Sequence, residues 1–289
     1  MVCRMVVYER KMSVFNNLVQ QLAQAQITSP RLEARMLLAY LLHRDNSETD
    51  IITAELTTLQ QKELDELVDR RVNKHEPIDK IIGKKGFYKF DFIVNNDVLS
   101  PRPETEIIIE EALSLGKIDS ILDLGTGSGC ILLSLLKELP QAQGTGVDIS
   151  NEALSVAKQN ARMLEIENQV KWINASWNEE NFLKHFPYQF NLVVSNPPYI
   201  PNQEIMGLDP EVKNYDPLLA LSGGEDGYDA YHRLAEIIPH LLTDKGAVLL
   251  ECGQGQAETV ADIFMKQNLS LYKIVKDLQG IDRCIILKK

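Results

Sequence analysis

The first part of the chain carries apolar residues at helical spacing. They recur every four positions over residues 14–22, which places them on one face of a helix. Ser29 before Pro30 is typical of a helix start, because serine can cap free N–H groups and proline fits the first turn. A third stretch, residues 58–76, has leucines among charges. Residues 1–76 are therefore predicted to form a small helical domain.

The next segment changes from helical to alternating spacing. Phe90, Phe92 and Val94 alternate with polar neighbours, which is typical of a strand. We therefore expect residues 77–100 to form a β-hairpin linker. Paired prolines follow, and a helix is predicted to begin near Pro103.

The remaining residues, 101–289, alternate between short apolar runs and amphipathic stretches. This alternation predicts an α/β fold with a mostly parallel sheet covered on both faces. The predicted strands are SILDLG, GTGVDI, VKWIN, QFNLVVSN, KGAVLLECG, LSLYKIVKD and RCIILKK.

Length and charge agree with this division. At about 150 residues per domain, 289 residues allow roughly two domains. The net charge is −11, and the residues through Lys84 carry equal numbers of basic and acidic side chains. The excess acid therefore lies in the second part, which argues against a protein that coats nucleic acid and suits a basic partner.

Several other features narrow the class of protein. The four cysteines are scattered, which favours reduced thiols in a cytoplasmic protein. The histidines lie at no metal-ligand spacing, so no metal site is predicted. The sequence suggests neither a membrane span nor a signal peptide. Translation could start at Met1, Met5 or Met12.

A glycine-rich turn joins the first predicted strand of the second part to its helix. The turn, DLGTGSG at residues 123–129, lets a ligand approach the backbone closely. Asp148 ends the next strand, where a carboxylate can bind both hydroxyls of a ribose. The pair predicts an adenosine-containing cofactor, with an ordinary tight turn as the alternative. The G-x-G-x-G spacing differs from the G-x-G-x-x-G typical of a dehydrogenase.

A second motif, Asn196-Pro197-Pro198-Tyr199, follows another predicted strand. Two prolines fix the backbone in a rigid bend and donate no N–H. The Asn196 side chain and the Pro197 carbonyl can accept both hydrogens of a planar NH2 group, and Tyr199 can stack on that group. The motif predicts a site that holds an amide or an exocyclic amine with its nitrogen lone pair facing a cofactor, with an ordinary strand-ending loop as the alternative.

Together these motifs resemble the amino-methyltransferases that use S-adenosylmethionine, and the flanking segments resemble the HemK/PrmC family. The flanks are EPIDKIIGKKGFYKFDFIVNNDVLSPRPETE and YDPLLALSGGEDGYDAYHRL, and the leader is SPRLEARMLLAYLL. The resemblance covers residues 13–289. It implies a Rossmann-like seven-stranded methyltransferase domain after a helical substrate-recognition domain. Ser100, before PRPETE, departs from the aliphatic residue expected there.

The resemblance also implies roles for individual residues. The implied catalytic residues are Asn196, Pro197 and Tyr199, and the implied substrate-binding residues are Asn196, Pro197, Pro198 and Tyr199. The implied cofactor-binding residues are Gly125, Thr126, Gly127, Ser128, Gly129, Asp148, Trp177 and Asn196.

The implied reaction is methylation of a glutamine side-chain nitrogen in the Gly-Gly-Gln motif of peptide-chain release factors, with S-adenosylhomocysteine as product. We expect a cytoplasmic monomer that binds release factors and holds no nucleic acid stably. The alternatives are a glutamine methyltransferase for a ribosomal protein, a nucleic-acid amino-methyltransferase and a nucleotide-binding scaffold without activity.

Overall fold

The computed structural model of the chain describes residues 13–289. The chain divides into two compact units between Ile82 and Gly83, so part of the predicted linker, residues 77–100, falls in each unit. Outside the described residues lie Cys3 and the candidate start residues Met1, Met5 and Met12.

The first unit is helical. Its helices are α1 (Val14–Gln24), α2 (Pro30–Leu41), α3 (Thr58–Val72) and α4 (Ile78–Ile82). The apolar residues that recur at helical spacing face one core, where Leu18 and Leu22 of α1 pack with Leu37 and Leu38 of α2. Helix α2 begins at Pro30 as predicted, but the side chain of Ser29 makes no capping hydrogen bond.

The second unit begins with an antiparallel hairpin and continues as an α/β domain. The strands are β1 (Lys84–Phe87), β2 (Phe90–Ile93), β3 (Ser120–Leu124), β4 (Gln143–Asp148), β5 (Val170–Asn174), β6 (Phe190–Ser195), β7 (Leu242–Glu251), β8 (Ser270–Lys276) and β9 (Asp282–Lys288). The helices are α5 (Glu106–Ser114), α6 (Cys130–Glu138), α7 (Asn151–Met163), α8 (Asn202–Ile205), α9 (Pro210–Tyr215), α10 (Leu218–Leu221), α11 (Asp229–Leu241) and α12 (Ala257–Met265).

Strands β3 to β9 form one sheet of seven strands, in the order β5-β4-β3-β6-β7-β9-β8. Strands β3 to β7 are mutually parallel. Strand β9 runs antiparallel to β7, and the edge strand β8 runs antiparallel to β9. The predicted Rossmann-like α/β class is confirmed. The chain leaves β3 toward β4 on one side and places β6 on the other, and such switch points are where ligands bind in folds of this type.

No helix within residues 13–289 is both long enough and apolar enough to cross a membrane.

A buried asparagine attaches the hairpin to the sheet domain. The side chain of Asn160, on α7, is fully buried. Its Nδ2 donates to the carbonyl of Ser128 at 2.8 Å and to the carbonyl of Ile93 at 3.1 Å, and its Oδ1 accepts from the Ile93 N–H at 2.7 Å. One side chain therefore holds both the end of β2 and the glycine-rich turn after β3.

Replacing Asn160 with alanine should lower the free energy of unfolding by about 1–3 kcal/mol, because it leaves buried backbone groups without partners. Urea denaturation followed by circular dichroism measures the change. The matched control is Asn168→Ala, at an exposed position just before β5. Equal midpoints and slopes for Asn160→Ala and the control would contradict this role.

Candidate active site

A cleft of about 660 Å³ opens at the carboxyl ends of the parallel strands. Gly125 follows β3, Asp148 ends β4, Trp177 lies just beyond β5 and Asn196 follows β6. All four line the cleft, because parallel strands bring their carboxyl ends to one edge of the sheet. The two sequence motifs therefore meet in a single site.

The site residues implied by the sequence fall into two groups. Those that line the cleft are Gly125, Thr126, Gly127, Ser128, Asp148, Trp177, Asn196 and Pro198. Those that do not line it are Gly129, Pro197 and Tyr199. Gly129 instead brings α6 close to its neighbours, since a Cβ there would lie 3.0 Å from Leu133 and 3.3 Å from Ala157.

Hydrogen bonds to β4 hold the glycine-rich turn in place. The N–H groups of Gly125 and Thr126 both donate to the carbonyl of Val147 at 2.9 Å. Gly125 and Gly127 have φ angles of 77° and 55°, which side chains with a Cβ rarely adopt. The glycines thus allow a tight turn whose backbone faces the cleft.

Asp148 is half-buried at the floor of the cleft. Its Oδ2 accepts from the Gly127 N–H at 2.8 Å, and its Oδ1 accepts from the Ser150 N–H at 3.0 Å. Burial raises the pKa of this carboxyl, against the lowering effect of these hydrogen bonds. Each oxygen of a carboxylate has two lone-pair sites, so both can still accept from a ligand.

Trp177 forms an aromatic wall beside the turn. A Cβ at Gly125 would lie 3.3 Å from its indole ring, so glycine is what allows the ring to approach. The Nε of Arg233 donates to the Trp177 carbonyl at 2.7 Å and fixes the backbone there. The arrangement offers a flat apolar face to a planar ligand.

Asp123 supplies a second carboxylate at the end of β3. It is fully buried, its Oδ2 accepts from the Thr126 hydroxyl at 2.6 Å, and its Oδ1 has no hydrogen-bond partner among the described residues. Burial raises the pKa of Asp123 to about 7, and the nearby Asp148 carboxylate adds to the effect. Asp123 is not among the residues that line the cleft, and its hydrogen bond holds Thr126 in the glycine-rich turn.

The described residues offer neither a metal site nor a reactive thiol in this cleft. No three His, Cys, Asp or Glu side chains within residues 13–289 are placed to hold a metal ion. Cys130 lines the cleft, but burial raises its pKa to about 12, so the thiol stays protonated at neutral pH.

Asn196 stands at the end of β6 with its side chain oriented. Its Nδ2 donates to the Thr105 hydroxyl at 3.4 Å, which leaves Oδ1 as a free acceptor. The Ser195 hydroxyl donates to the Leu124 carbonyl at 2.6 Å and ties β6 to β3. No donor in the described part of the chain reaches the Pro197 carbonyl. Two consecutive residues at this strand end therefore each carry an oxygen acceptor without a donor among the described residues.

Comparison with known proteins identifies the relatives of this chain. Residues 13–83 match the family model of the PrmC N-terminal domain, and residues 103–207 match that of the Methyltransferase small domain. The release factor glutamine methyltransferase of Rhodospirillum rubrum is 40% identical over 271 residues, which are 93% of this chain and 82% of the relative. The chain belongs to the release factor glutamine methyltransferase family.

Other relatives agree with this membership. The family member from Caulobacter vibrioides is 40% identical over 272 residues, 92% of each chain. The crystal structure of a methyltransferase from Pyrococcus furiosus shares the fold, with a TM-score of 0.50 and 17% identity over 70% of this chain and 90% of the other. The expected methyltransferase class and the resemblance to the HemK/PrmC family are confirmed.

In this family member, the support beneath Tyr199 is what sequence reasoning missed. The Tyr199 hydroxyl donates to Oε1 of Glu251 at 3.3 Å, and the Tyr199 carbonyl accepts from Nε2 of Gln256 at 3.1 Å. A Cβ at Gly223 would lie 2.8 Å from the Tyr199 backbone, and one at Gly227 would lie 2.5 Å from its carbonyl oxygen. Burial raises the pKa of the Tyr199 hydroxyl above its usual value.

Two glycine-rich segments of the sequence, SGGEDGYD and ECGQGQ, contain the residues that contact Tyr199. Gly223 and Gly227 allow their backbone to approach that of Tyr199, and Glu251 and Gln256 form hydrogen bonds with Tyr199. Their connection to Tyr199 depends on the fold, because neither segment is close to the N-P-P-Y motif in sequence.

Proposed function

We propose that this chain transfers a methyl group from S-adenosylmethionine to the side-chain amide nitrogen of the glutamine in the Gly-Gly-Gln motif of release factors. The names of its relatives support this substrate. The observation that carries the chemistry is that Asn196 Oδ1 and the carbonyl of the adjacent Pro197 both lack a hydrogen-bond donor among the described residues, at a strand end where Asn196 lines the cleft.

The residues at the other strand ends suit the cofactor. The turn from Gly125 to Ser128 would offer backbone groups, Asp148 would accept from the ribose hydroxyls, and Trp177 would cover the adenine. When bound, S-adenosylmethionine supplies an electrophilic methyl group on a cationic sulfur and leaves as S-adenosylhomocysteine.

The acceptor pair addresses the main difficulty of this reaction. An amide nitrogen is a poor nucleophile, because its lone pair is delocalised into the carbonyl. Asn196 and Pro197 can accept both N–H groups, orient the nitrogen and stabilise the positive charge that develops on it. The nitrogen gains a C–N bond and then loses one proton.

The surface beyond the N-P-P-Y motif suits a basic protein segment. Glu204 and Asp209 are exposed on α8 and before α9, and Glu211 is half-buried. Asp216, close to these acids in sequence, is instead buried. Its Oδ2 accepts from Arg102 at 2.8 Å, and its Oδ1 accepts from the Ser100 N–H at 3.2 Å. This ion pair fixes the loop, and Glu204 and Asp209 stay exposed to a basic partner.

The other expectations remain proposals. The helical unit before Gly83 would recognise the release factor, and the domain that follows would carry out the transfer. We propose a cytoplasmic monomer that forms no stable complex with nucleic acid, in keeping with a net charge of −11.

The test is a comparison of acceptors. The full-length protein is incubated with methyl-labelled S-adenosylmethionine and, in parallel, with an unmethylated release factor, a ribosomal protein mixture and total tRNA. We expect label on the release factor alone. Label on a ribosomal protein or on tRNA, with none on the release factor, would contradict the proposed substrate.

A further inference from the structure

A buried carboxylate lies directly behind the acceptor pair and has no part in the chemistry described so far. Glu251 ends β7, the strand that pairs with β6, and only 2% of it is exposed. Ser195 pairs with Leu250 in the register of these strands, so Glu251 lies at the level of Asn196. A buried acid at this point requires a reason, because burial disfavours its charge.

Glu251 contacts one end of the N-P-P-Y motif directly and lies near the residue that holds the other end. Its Oε1 accepts from the Tyr199 hydroxyl at 3.3 Å. Burial raises the pKa of Glu251, and the nearby hydroxyl of Thr105, itself only 2% exposed, lowers it. Oε2 of Glu251 has no hydrogen-bond partner among the described residues and is free to accept from Thr105. Thr105 in turn accepts from Asn196 Nδ2 at 3.4 Å. Glu251, Thr105 and Asn196 thus form a short relay.

The charge of Glu251 gives this relay a direction. An ionised carboxylate can only accept hydrogen bonds, so a charged Glu251 favours the orientation in which the Thr105 O–H points toward it. The oxygen of Thr105 is then free to accept, and Asn196 points its Nδ2 toward it. A neutral group at position 251 can also donate, and it would allow Thr105 to donate to Asn196 and the amide to turn over.

We propose that Glu251 is a positioning residue for methyl transfer: its carboxylate orders Thr105 and Tyr199 and, through Thr105, keeps the Asn196 oxygen turned toward the glutamine NH2. The proposal rests on the proposed methylation of glutamine. It explains why a charge is kept where an apolar side chain would pack at lower cost.

The pKa of Glu251 shows that cost. Burial raises the pKa to about 7 from a usual value of 4.5, opposed by Thr105, Arg283 and Tyr199 and assisted by Glu104. The other titratable groups that interact with Glu251 are Tyr231, Cys130, Cys252 and Cys284. Between pH 4.5 and pH of about 7, Glu251 in the folded protein holds a proton that it has lost in the unfolded chain. The free energy of unfolding therefore falls as the pH rises through this window.

The experiment uses the full-length variant Glu251→Gln, which keeps the shape and removes the charge. We expect kcat to fall by about 10-fold to 10²-fold, as for other losses of alignment at a reacting atom. The dissociation constant of S-adenosylmethionine, measured by calorimetry, should hardly change. The wild-type kcat should rise with pH as Glu251 ionises, and the variant should lack that limb of the profile.

Thermal unfolding separates positioning from a structural role. At pH 8, Glu251→Gln should have a higher Tm than the wild type, because the wild type carries a buried charge there and the variant does not. At pH 5 this advantage should disappear. A variant that loses activity because its fold is damaged would instead have a lower Tm at both pH values, and that result would overturn the proposal.

Thr105 provides a second, independent variant. Thr105→Ser keeps the hydroxyl and should retain most of kcat, whereas Thr105→Val should lower kcat about as much as Glu251→Gln. The double variant Thr105→Val with Glu251→Gln should be little worse than either single variant, because both break the same relay. Additive losses would overturn the relay.

The control is Glu111→Gln, which removes a carboxylate that bonds Lys273 on the outside of the same unit. It should leave kcat unchanged. The ratio of the kcat of Glu251→Gln to the kcat of the wild type is measured on whichever acceptor the wild type methylates. Absence of transfer to the release factor by the wild type counts against the proposed function, and a ratio near one counts against the role of Glu251.

Discussion

Replacing Asn196 with alanine is expected to lower kcat by about 10²–10³-fold, the usual loss when one hydrogen-bond partner of a transition state is removed. The amide oxygen of Asn196 is free to accept, because its nitrogen is held by Thr105. Without it, the acceptor nitrogen keeps only the Pro197 carbonyl as a partner, and positive charge on that nitrogen is less stabilised. The affinity for S-adenosylmethionine should change much less than kcat.

Single-turnover kinetics with calorimetric cofactor binding separates the two effects. The matched control is Asn168→Ala, an exposed asparagine before β5, at the opposite edge of the sheet. It should behave as the wild type. Near-normal turnover of Asn196→Ala, in a protein that still folds and binds the cofactor, would refute the role given to the acceptor pair.

Replacing Asp148 with alanine is expected to weaken cofactor binding by at least about 10²-fold. Hydrogen bonds to a charged group contribute about 1.5–3 kcal/mol each, and the carboxylate can form one with each ribose hydroxyl. The variant also loses the acceptor for the Gly127 and Ser150 N–H groups, which hold the turn in place. The loss should therefore appear in the dissociation constant first and in kcat second.

Calorimetric titration with S-adenosylmethionine and with S-adenosylhomocysteine measures this loss. Asp262→Ala, at an exposed position on α12, is the matched control and should bind both as the wild type does. An Asp148→Ala variant with unchanged affinity for both ligands would show that the ribose is held elsewhere.

The sequence predicts the sheet well, for a physical reason. The central strands are short apolar runs such as SILDL and FNLVVS, and burial on both faces requires that composition. The short helices α8 and α10 were not predicted. They have four residues each, too few to be stable alone, and a bridge between Ile200 and Ser222 holds this region in place.

The candidate site also contains residues that the sequence predicts and residues that it does not. Asn196 and Asp148 could be predicted, because each directly ends a strand within a recognisable local motif. Glu251 and Thr105 could not, because their proximity to the N-P-P-Y motif depends on the pairing of β7 with β6 and on the path of the chain before α5. Local patterns contain no information about such contacts.

Peptide mass spectrometry of an unmethylated release factor, after incubation with this protein and S-adenosylmethionine, tests the central claim most directly. We expect one added methyl group, located by fragmentation on the glutamine side chain of Gly-Gly-Gln, and transfer about 10²–10³-fold slower when Asn196→Ala replaces the wild type. A methyl group on any other residue, or equal modification by Asn196→Ala, would contradict the account.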